Sequence, residues 1–284
     1  MTQDEAKRLV AKRAAELVED GTVVGLGTGT TATLFIRELA ARKLKIRCVA
    51  SSDASHELAV SLGMHVETLK ELPELDVYID GADEVCVAAG AHAGLDLIKG
   101  GGGALLREKI VASAAKEFIV VADSTKLVKM LGKFPLPVEI IQMALPLVEP
   151  RLAGLGFTPK LRMAKSMPQG LKPLTTMGAE SAKETQGSSP GLPALAYLEA
   201  KDKRTPANLE AKDEQAEGDP EATSPYVTDE GNYILDCWGP GIAEPETTAA
   251  EIRRIVGVVE HGLFLGMATL ALVAGEDGVK EYRA

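Results

Sequence analysis

Cysteine is scarce in this chain of 284 residues, which contains only Cys48, Cys86 and Cys237. The three are scattered, odd in number and never spaced as a C-x-x-C pair. This argues against a disulfide framework and against a zinc site. We interpret the three thiols as small buried hydrophobic side chains in a reducing compartment.

Histidine is also scarce, with four in the whole chain, and the motifs of several enzyme classes are missing. No G-x-S-x-G elbow joins a predicted strand to a predicted helix, and no H-E-x-x-H pattern occurs. Their absence weakens the hypotheses of a hydrolase and of a metalloenzyme. Carboxylates and lysines are then the side chains left for proton chemistry.

Positive charge is in deficit. Lys and Arg total 31 against 41 Asp and Glu, a formal net charge of −10. This balance argues against nucleic acid or an anionic membrane as a partner, because both favour a basic face. A phosphorylated small molecule is still allowed, since a local site can be positive on an acidic protein.

Long apolar runs are missing as well. The longest, residues 262–275, is too short to span a bilayer and is interrupted by glycine, so we interpret it as buried strand. At the N-terminus, Thr2 and Glu5 form a capping box that opens an amphipathic helix, unlike a signal peptide. We therefore expect a cytoplasmic protein.

Predicted strands and helices alternate in the first half of the chain. Strands are predicted at 22–26, 46–50, 65–69, 77–80 and 118–121, with helices at 32–41, 56–62 and 104–115. This order predicts an α/β fold, a Rossmann-like parallel sheet with helices on both faces. Ligands of such sheets bind at the carboxyl ends of the strands.

From about residue 137 the order of elements predicts a second, smaller domain. Strands near 138–142, 159–164, 233–237 and 258 and helices at 146–155 and 247–255 follow one another as β-α-β-β-α-β, and a further short strand at 226–228 forms a hairpin with 233–237. That order is typical of a ferredoxin-like α+β domain. We assign residues 1–136 and 262–284 to the Rossmann-like domain and 137–261 to the small one.

Residues 166–224 have a different composition from the rest of the chain. They are rich in Pro, Ser, Thr, Gly, Ala, Glu and Lys, and their only aromatic residue is Tyr197. They lack the apolar density that would offset the entropy of ordering. We predict a mostly disordered insertion in the small domain.

Residues 25–31, Gly-Leu-Gly-Thr-Gly-Thr-Thr, link a predicted strand to a predicted helix. Glycines there let backbone amides approach an anion, and the helix N-terminus adds its dipole. The segment is not a P-loop, and Thr30 replaces the third glycine of the dinucleotide pattern. The adjacent hydroxyls of Thr30 and Thr31 suit a phosphate, and a plain strand-to-helix turn is the alternative.

Residues 80–84, Asp-Gly-Ala-Asp-Glu, directly follow a predicted strand. Three carboxylates within five residues repel one another, which indicates a functional cluster whose pKa values differ. A solvated turn with Asp83 as a helix cap is the alternative. A metal site is disfavoured, because only His92 lies near in sequence.

Lys99 stands before four consecutive glycines, Gly100–Gly103. Such a run is costly in backbone entropy, and it predicts a loop of amides exposed to an anionic or enolate oxygen. Glu108 follows near the start of a helix, either as a first-turn charge favoured by the dipole or as a base in a drier pocket. Lys126 offers a further cation suited to a phosphate.

Six motifs, taken in order, resemble one enzyme family. They are residues 27–31, 51–53, 80–84, 99–109, 123–126 and 132–139. The chain resembles ribose-5-phosphate isomerase of type A from Thr2 to about Lys165 and again from Tyr226 to Lys280. The resemblance implies interconversion of ribose 5-phosphate and ribulose 5-phosphate through an enediolate, without a metal or other cofactor.

The resemblance also implies a role for each matching residue. Glu108 is the expected base between C1 and C2, Lys99 stabilises the enediolate, and Asp80 and Asp83 handle ring opening and hydroxyl protons. The residues expected to bind the substrate or its phosphate are Lys7, Thr28, Gly29, Thr30, Thr31, Ser52, Gly101, Gly102 and Lys126. A homodimer or homotetramer is expected.

The chain departs from the family pattern in three places. Thr30 stands where many members have serine, which preserves the hydroxyl, and the segment 85–94 between the acidic cluster and the glycine run is somewhat long. The 166–224 insertion has no counterpart in compact bacterial members. Two alternatives remain: a non-catalytic sugar-phosphate sensor and an enzyme acting on a related sugar phosphate. A sensor of the transcription-regulator type would carry a basic helix-turn-helix segment, and none is visible.

Overall fold

The computed structural model describes residues 1–88, 94–164 and 224–284. These residues belong to one compact unit. The insertion predicted at 166–224 falls outside the described residues except for its last position. Within the described part, no helix is both long and apolar enough to cross a membrane.

The described residues form helices and strands in the following order. The helices are α1 Gln3–Glu16, α2 Thr30–Ala41, α3 Asp53–Ser61, α4 Leu105–Ser113, α5 Leu145–Gly154 and α6 Pro245–Arg253. The strands are β1 Val23–Leu26, β2 Arg47–Ala50, β3 Val66–Glu67, β4 Leu75–Gly81, β5 Glu84–Ala88, β6 Gly94–Ile98, β7 Ala115–Asp123, β8 Leu127–Val128, β9 Leu136–Ile140, β10 Thr158–Leu161, β11 Tyr233–Trp238, β12 Val258–His261, β13 Leu263–Phe264, β14 Leu270–Gly275 and β15 Gly278–Arg283.

The largest sheet has seven strands in the order β15-β14-β7-β4-β1-β2-β3. All neighbouring strands are parallel except the edge strand β15, which pairs antiparallel with β14. The predicted Rossmann-like parallel sheet is therefore confirmed. The carboxyl ends of β1, β2, β4 and β7 lie along one edge, where ligands of such sheets bind.

Both faces of the large sheet are covered, but in different ways. Helices α1, α2 and α3 pack on one face around Phe35, Ile36 and Leu39. Helix α4 covers the other face together with strands β5 and β6, which contribute Val85 and Leu97 to that core. These strands belong to a separate sheet, β13-β6-β5-β8, which the sequence analysis did not predict.

The small domain predicted in the second half appears as a four-stranded antiparallel sheet in the order β10-β11-β9-β12. Helices α5 and α6 pack on it through Val148, Leu152 and Ile252. This connectivity is that of the ferredoxin-like fold. The domain boundaries at 136/137 and 261/262 stay a prediction.

One predicted strand of this domain, at residues 226–228, is wrong. The Tyr226 N–H donates to the Arg162 carbonyl, and the Thr228 N–H donates to the Asn232 carbonyl across a tight turn. These bonds hold the segment beside the end of β10 without the repeated hydrogen bonds of a strand. Residues 226–228 are therefore a loop that leads to β11.

Candidate active site

Loops at the carboxyl edge of the large sheet enclose a cleft of about 110 Å³. The residues that line it are Lys7, Thr28, Gly29, Thr30, Thr31, Gly81, Ala82, Asp83, Lys99, Gly100, Gly102, Glu108 and Lys126. Ten of the predicted site residues are among them. The other three, Asp80, Ser52 and Gly101, do not line the cleft but contact residues that do.

Lys99 forms the base of the cleft directly after β6, and its side chain is only 2% exposed. Its ammonium donates to Asp80 Oδ2 at 2.7 Å and to the Gly81 carbonyl at 2.6 Å. The Glu108 Oε2 atom lies 3.3 Å from the same nitrogen. An ammonium has three protons and Lys99 makes these two hydrogen bonds with described residues, so one of its donors is left for the cleft.

Asp80 is fully buried beneath Lys99 and does not line the cleft. Its Oδ1 accepts the backbone N–H groups of Thr28 at 2.8 Å and of Gly81 at 2.7 Å. Its Oδ2 accepts the Lys99 ammonium and the Tyr78 hydroxyl. Four donors therefore hold this carboxylate in place, away from the position that direct contact with a substrate would require.

Glu108 lies in the first turns of α4 and is 3% exposed. Its Oε2 is buried and has no hydrogen-bond partner among the described residues. Burial raises the pKa of Glu108 to about 8, the Lys99 charge opposes that shift, and the charges of Asp80 and Asp83 add to it. A base whose pKa lies near neutrality is well matched to proton transfer.

The charge of Lys99 depends on its carboxylate neighbours. Burial acts to lower the pKa of Lys99, but the charges of Asp80 and Glu108 raise it above its ordinary value. The ammonium therefore stays protonated in a nearly dry site. A fixed positive charge of this kind stabilises an oxyanion far better than it would in water.

Asp83 and the glycine loop that follows β6 hold each other in place. The Gly101 N–H donates to Asp83 Oδ2 at 2.7 Å, and the Asp83 N–H donates to the Ile98 carbonyl at 2.8 Å. A Cβ on Gly101 would lie 2.6 Å from Asp83 Oδ1. A side chain at position 101 would displace the Asp83 carboxylate, which lines the cleft.

The small sheet also anchors the glycine loop, through Arg162. Its guanidinium donates to the carbonyls of Gly100 at 2.9 Å and Gly101 at 3.3 Å, and it pairs with Asp236. Sequence reasoning missed this contact because Arg162 lies 62 residues from Gly100 and no local motif marks it.

The other end of the cleft is built for an anion. Helix α2 begins at Thr30 after Gly29, whose φ of +99° requires glycine, and no side chain caps this helix. Its first N–H groups and its dipole thus face the cleft without a competing side chain. Lys7 from α1 and Lys126 after β7 line the cleft as well.

Ser52 supports this loop from behind. The Thr28 hydroxyl lies 2.8 Å from Ser52 Oγ and 3.0 Å from Ser51 Oγ, and the Ser55 hydroxyl donates to the Gly27 carbonyl at 2.6 Å. The serine cluster therefore orients Thr28. Ser52 was predicted as a binding residue, and the structure places it one layer behind the cleft.

Tyr78 is the second contact that sequence reasoning missed. It precedes Asp80 by two residues in β4, so both side chains lie on the same face of the sheet. This period-two spacing of a phenol and a carboxylate in a buried strand is the signal that could have found it.

Within residues 1–88, 94–164 and 224–284, no group of three or more His, Cys, Asp or Glu side chains is arranged to hold a metal ion. The absence of a metal cofactor stays a prediction.

The fold and the cleft together define an α/β protein with a small-molecule site at the carboxyl ends of parallel strands, one end cationic and the other holding a buried carboxylate–lysine pair. Comparison with known proteins shows which family within this class the chain matches. A family model described as ribose 5-phosphate isomerase A (phosphoriboisomerase A) matches residues 47–180 and 199–278. A second model, described as the DeoR C terminal sensor domain, matches residues 2–66.

Individual relatives agree over almost the whole chain. A ribose-5-phosphate isomerase A of Roseiflexus castenholzii is 41% identical and covers 97% of this chain and 94% of its own. The crystal structure of a ribose 5 phosphate isomerase A from Neisseria gonorrhoeae is 34% identical, with a TM-score of 0.73 over 99% of this chain and 97% of that one. A D-ribose-5-phosphate isomerase solved in complex with phospho-erythronic acid is 29% identical, with a TM-score of 0.75 over 100% of both chains.

The chain belongs to the ribose 5-phosphate isomerase A family. The resemblance predicted from the six motifs is confirmed.

Proposed function

We propose that the chain interconverts D-ribose 5-phosphate and D-ribulose 5-phosphate by carboxylate-mediated proton transfer through an enediolate. The observation that carries the proposal is the buried Glu108 carboxyl, with one oxygen that lies 3.3 Å from the Lys99 ammonium and has no hydrogen bond within the part of the chain that the structure describes. Membership of the family supports the substrate, and the relative solved with phospho-erythronic acid binds a phosphorylated sugar acid.

The phosphate binds at the cationic end of the cleft. Lys7 and Lys126 supply charge, and the N–H groups of the first turn of α2 supply directed donors. The hydroxyls of Thr28, Thr30 and Thr31 and the backbone of Gly29 complete this end. Because the phosphate is remote from the reacting carbons, its binding energy positions C1 and C2 against Glu108.

Ionised Glu108 removes the proton from C2 of the open-chain aldose and returns it to C1. The electron pair of the broken C2–H bond forms the C1–C2 double bond, and the carbonyl oxygen becomes an enediolate oxygen. The uncommitted donor of Lys99 and the N–H of Gly102 stabilise that oxygen. A positioned base contributes about 10²–10⁴-fold in rate, and an oxyanion donor about 10²–10³-fold.

Asp83 and Asp80 have different roles because Asp83 lines the cleft and Asp80 lies beneath it. Asp83 lines the cleft, held there by Gly101, and moves hydroxyl protons during ring opening and between O1 and O2. Asp80, predicted to share that role, lies beneath the cleft with four donors, and we propose that it acts on Lys99 instead.

This activity places the enzyme in the non-oxidative pentose phosphate pathway. The cytoplasmic location and the homodimeric or homotetrameric state stay predictions.

A non-catalytic sugar-phosphate sensor is the second candidate, and the match of residues 2–66 to a sensor-domain model bears on it. That segment contains the glycine loop after β1 and ends before Asp80, Lys99 and Glu108. The match therefore covers the loop before α2, and the residues proposed for proton transfer lie outside it. We favour catalysis.

The proposal is tested by measuring conversion of ribose 5-phosphate to ribulose 5-phosphate in the presence of a chelator. We expect turnover that the chelator leaves unchanged, a fall of at least about 10²-fold in kcat for Glu108→Gln, and no change for Glu149→Gln on the exposed side of α5. If the wild-type protein is folded but does not convert ribose 5-phosphate, the sensor becomes the favoured function. Activity abolished by the chelator alone would overturn the metal-free mechanism.

A further inference from the structure

Tyr78 is a fully buried phenol in β4 whose hydroxyl lies beneath the cleft, against Asp80. The hydroxyl donates to Asp80 Oδ2, and the same oxygen accepts the Lys99 ammonium at 2.7 Å. One carboxylate oxygen is thus shared between a neutral donor and the ammonium group that faces the reaction. None of the roles assigned to the cleft above uses this phenol.

The packing of the Tyr78 ring does not require its hydroxyl. The ring lies 4.9 Å from the Phe118 ring, in a core that includes Leu75 and Val111. Phenylalanine would fill that space. A buried hydroxyl is costly unless it has a partner, and the partner here is Asp80. Burial and the charges of Asp80 and Glu108 raise the pKa of Tyr78 well above its ordinary value, so it remains a donor.

We propose that Tyr78 is a positioning residue for the isomerase reaction: by donating to the Asp80 oxygen that Lys99 also binds, it limits how much of the Asp80 charge acts on Lys99 and Glu108. This inference rests on the proposed function and deepens it. It makes the proton-transfer pair of the cleft dependent on a residue that never contacts the substrate.

The direction of the effect follows from the groups that face Glu108. These groups come from several elements: Asp80 and Asp83 at the end of β4, Lys99 after β6, Tyr226 beside the glycine loop, and Lys7 and Lys126 across the cleft. Removing the Tyr78 hydroxyl leaves Asp80 with fewer donors, so more of its negative charge acts on the site. That charge holds Lys99 more tightly and makes ionisation of Glu108 harder.

The test is the pH dependence of kcat/KM for Tyr78→Phe with ribose 5-phosphate as substrate. We expect the acid limb to move to higher pH by about 0.5–1 unit, with the loss largest at low pH and recovering toward wild type on the alkaline side. Tyr233→Phe is the matched control, because it removes a phenol hydroxyl from β11 in the small sheet. Its profile should coincide with that of wild type.

A direct titration gives the same answer without turnover. In ligand-free protein carrying a ¹³C label at its glutamate carboxyl groups, the Glu108 signal should titrate at higher pH in Tyr78→Phe than in wild type. If the phenylalanine variant does not fold, 3-fluorotyrosine placed at position 78 is a stronger donor. The acid limb should then move to lower pH.

Three outcomes would overturn the inference: an unchanged profile, an equal loss at every pH, which indicates packing alone, or a shift opposite to that expected. The wild-type enzyme separates this failure from that of the proposed function. If wild type does not turn over ribose 5-phosphate, the function is wrong. If it does and Tyr78→Phe shows no shift, only the role of Tyr78 is wrong.

Discussion

Helix α4 carries two buried charged residues side by side, Glu108 and Lys109, and each belongs to a lysine–glutamate pair. Glu108 pairs with Lys99 at the cleft, while Lys109 pairs with Glu260 at the end of β12, near the start of β13. The two pairs have the same chemistry and similar burial. They differ in how completely their hydrogen bonds are made.

Lys109 uses all three of its protons. Its ammonium donates to Glu260 Oε1 at 2.8 Å and to the carbonyls of His261 at 2.7 Å and Leu263 at 2.8 Å. It also lies 4.7 Å from the centre of the Phe264 ring. This is a satisfied ion pair that joins α4 to the small sheet, and it has no donor left for a ligand.

The pair at the cleft is incomplete. Lys99 has one uncommitted donor, and Glu108 Oε2 has no hydrogen bond among the described residues. A buried polar atom without a partner is costly and calls for an explanation. The comparison teaches that unmet hydrogen-bonding capacity, rather than burial or charge, distinguishes the functional pair from the structural one.

The largest expected effect separates the two lysines by activity. Lys99→Met removes the charge and the donor that face the enediolate, and we expect kcat to fall by at least about 10²–10³-fold. Lys109→Met should leave kcat/KM within about threefold, since Lys109 does not line the cleft. Circular dichroism at the assay temperature checks that both variants are folded. Equal losses of activity in two folded variants would break the comparison.

The second effect separates the two lysines by stability. Among the described residues, Lys109→Met leaves the buried Glu260 with hydrogen bonds from Arg253 and one backbone N–H, which we expect to lower the free energy of unfolding by about 3 kcal/mol. Urea unfolding measures it. Arg253→Met, at the exposed edge of the same cluster, is the control and should cost less than about 1 kcal/mol. A cost for Lys109→Met as small as that of the control would contradict the structural role of Lys109.

The smallest effect concerns the pH dependence of stability at Glu108. Burial raises its folded-state pKa to about 8, so between the ordinary glutamate pKa and that value the folded protein holds a proton that the unfolded chain has lost. Stability from this group is therefore complete at low pH and falls as pH rises, by up to about 1.4 kcal/mol per pH unit.

In Glu108→Gln the side chain at position 108 has no proton to lose, so this variant lacks the fall in stability with pH that Glu108 causes. We expect wild type to lose about 2–3 kcal/mol relative to Glu108→Gln between about pH 5.5 and about pH 7.5, measured by urea unfolding at each pH. Parallel stability curves for the two proteins would show that the carboxyl of Glu108 is not perturbed by burial.

Much of the fold was predictable because it depends on local patterns. The spacing of apolar residues over short windows predicts each strand and helix. The order of those elements then predicted the parallel sheet and the small antiparallel sheet. The sheet containing β5 and β6 was missed because its strands are short and flank residues 89–93, with no strong alternation of their own. The strand predicted at 226–228 failed because its N–H groups pair with loop carbonyls.

The site was predictable at the level of which loops meet. Gly29, Thr30, Lys99 and Glu108 stand at strand ends or helix starts, and parallel strands bring those ends to one edge. Whether a residue lines the cleft was not predictable. Asp80 and Asp83 are three residues apart in one motif, yet only Asp83 lines the cleft. Four donors hold Asp80 below it, two from its own strand and two, Thr28 and Lys99, from distant segments.

By itself, the sequence determined the α/β class, the glycine loops that approach an anion, the carboxylate–lysine inventory of the cleft and the family to which the chain belongs. Tertiary structure alone decided which of two buried lysines keeps a free donor, that Tyr78 shares Asp80 with Lys99, and that Arg162 holds the glycine loop. The physical reason is that desolvation and hydrogen-bond satisfaction depend on atoms brought together from distant parts of the chain, and local sequence does not encode them.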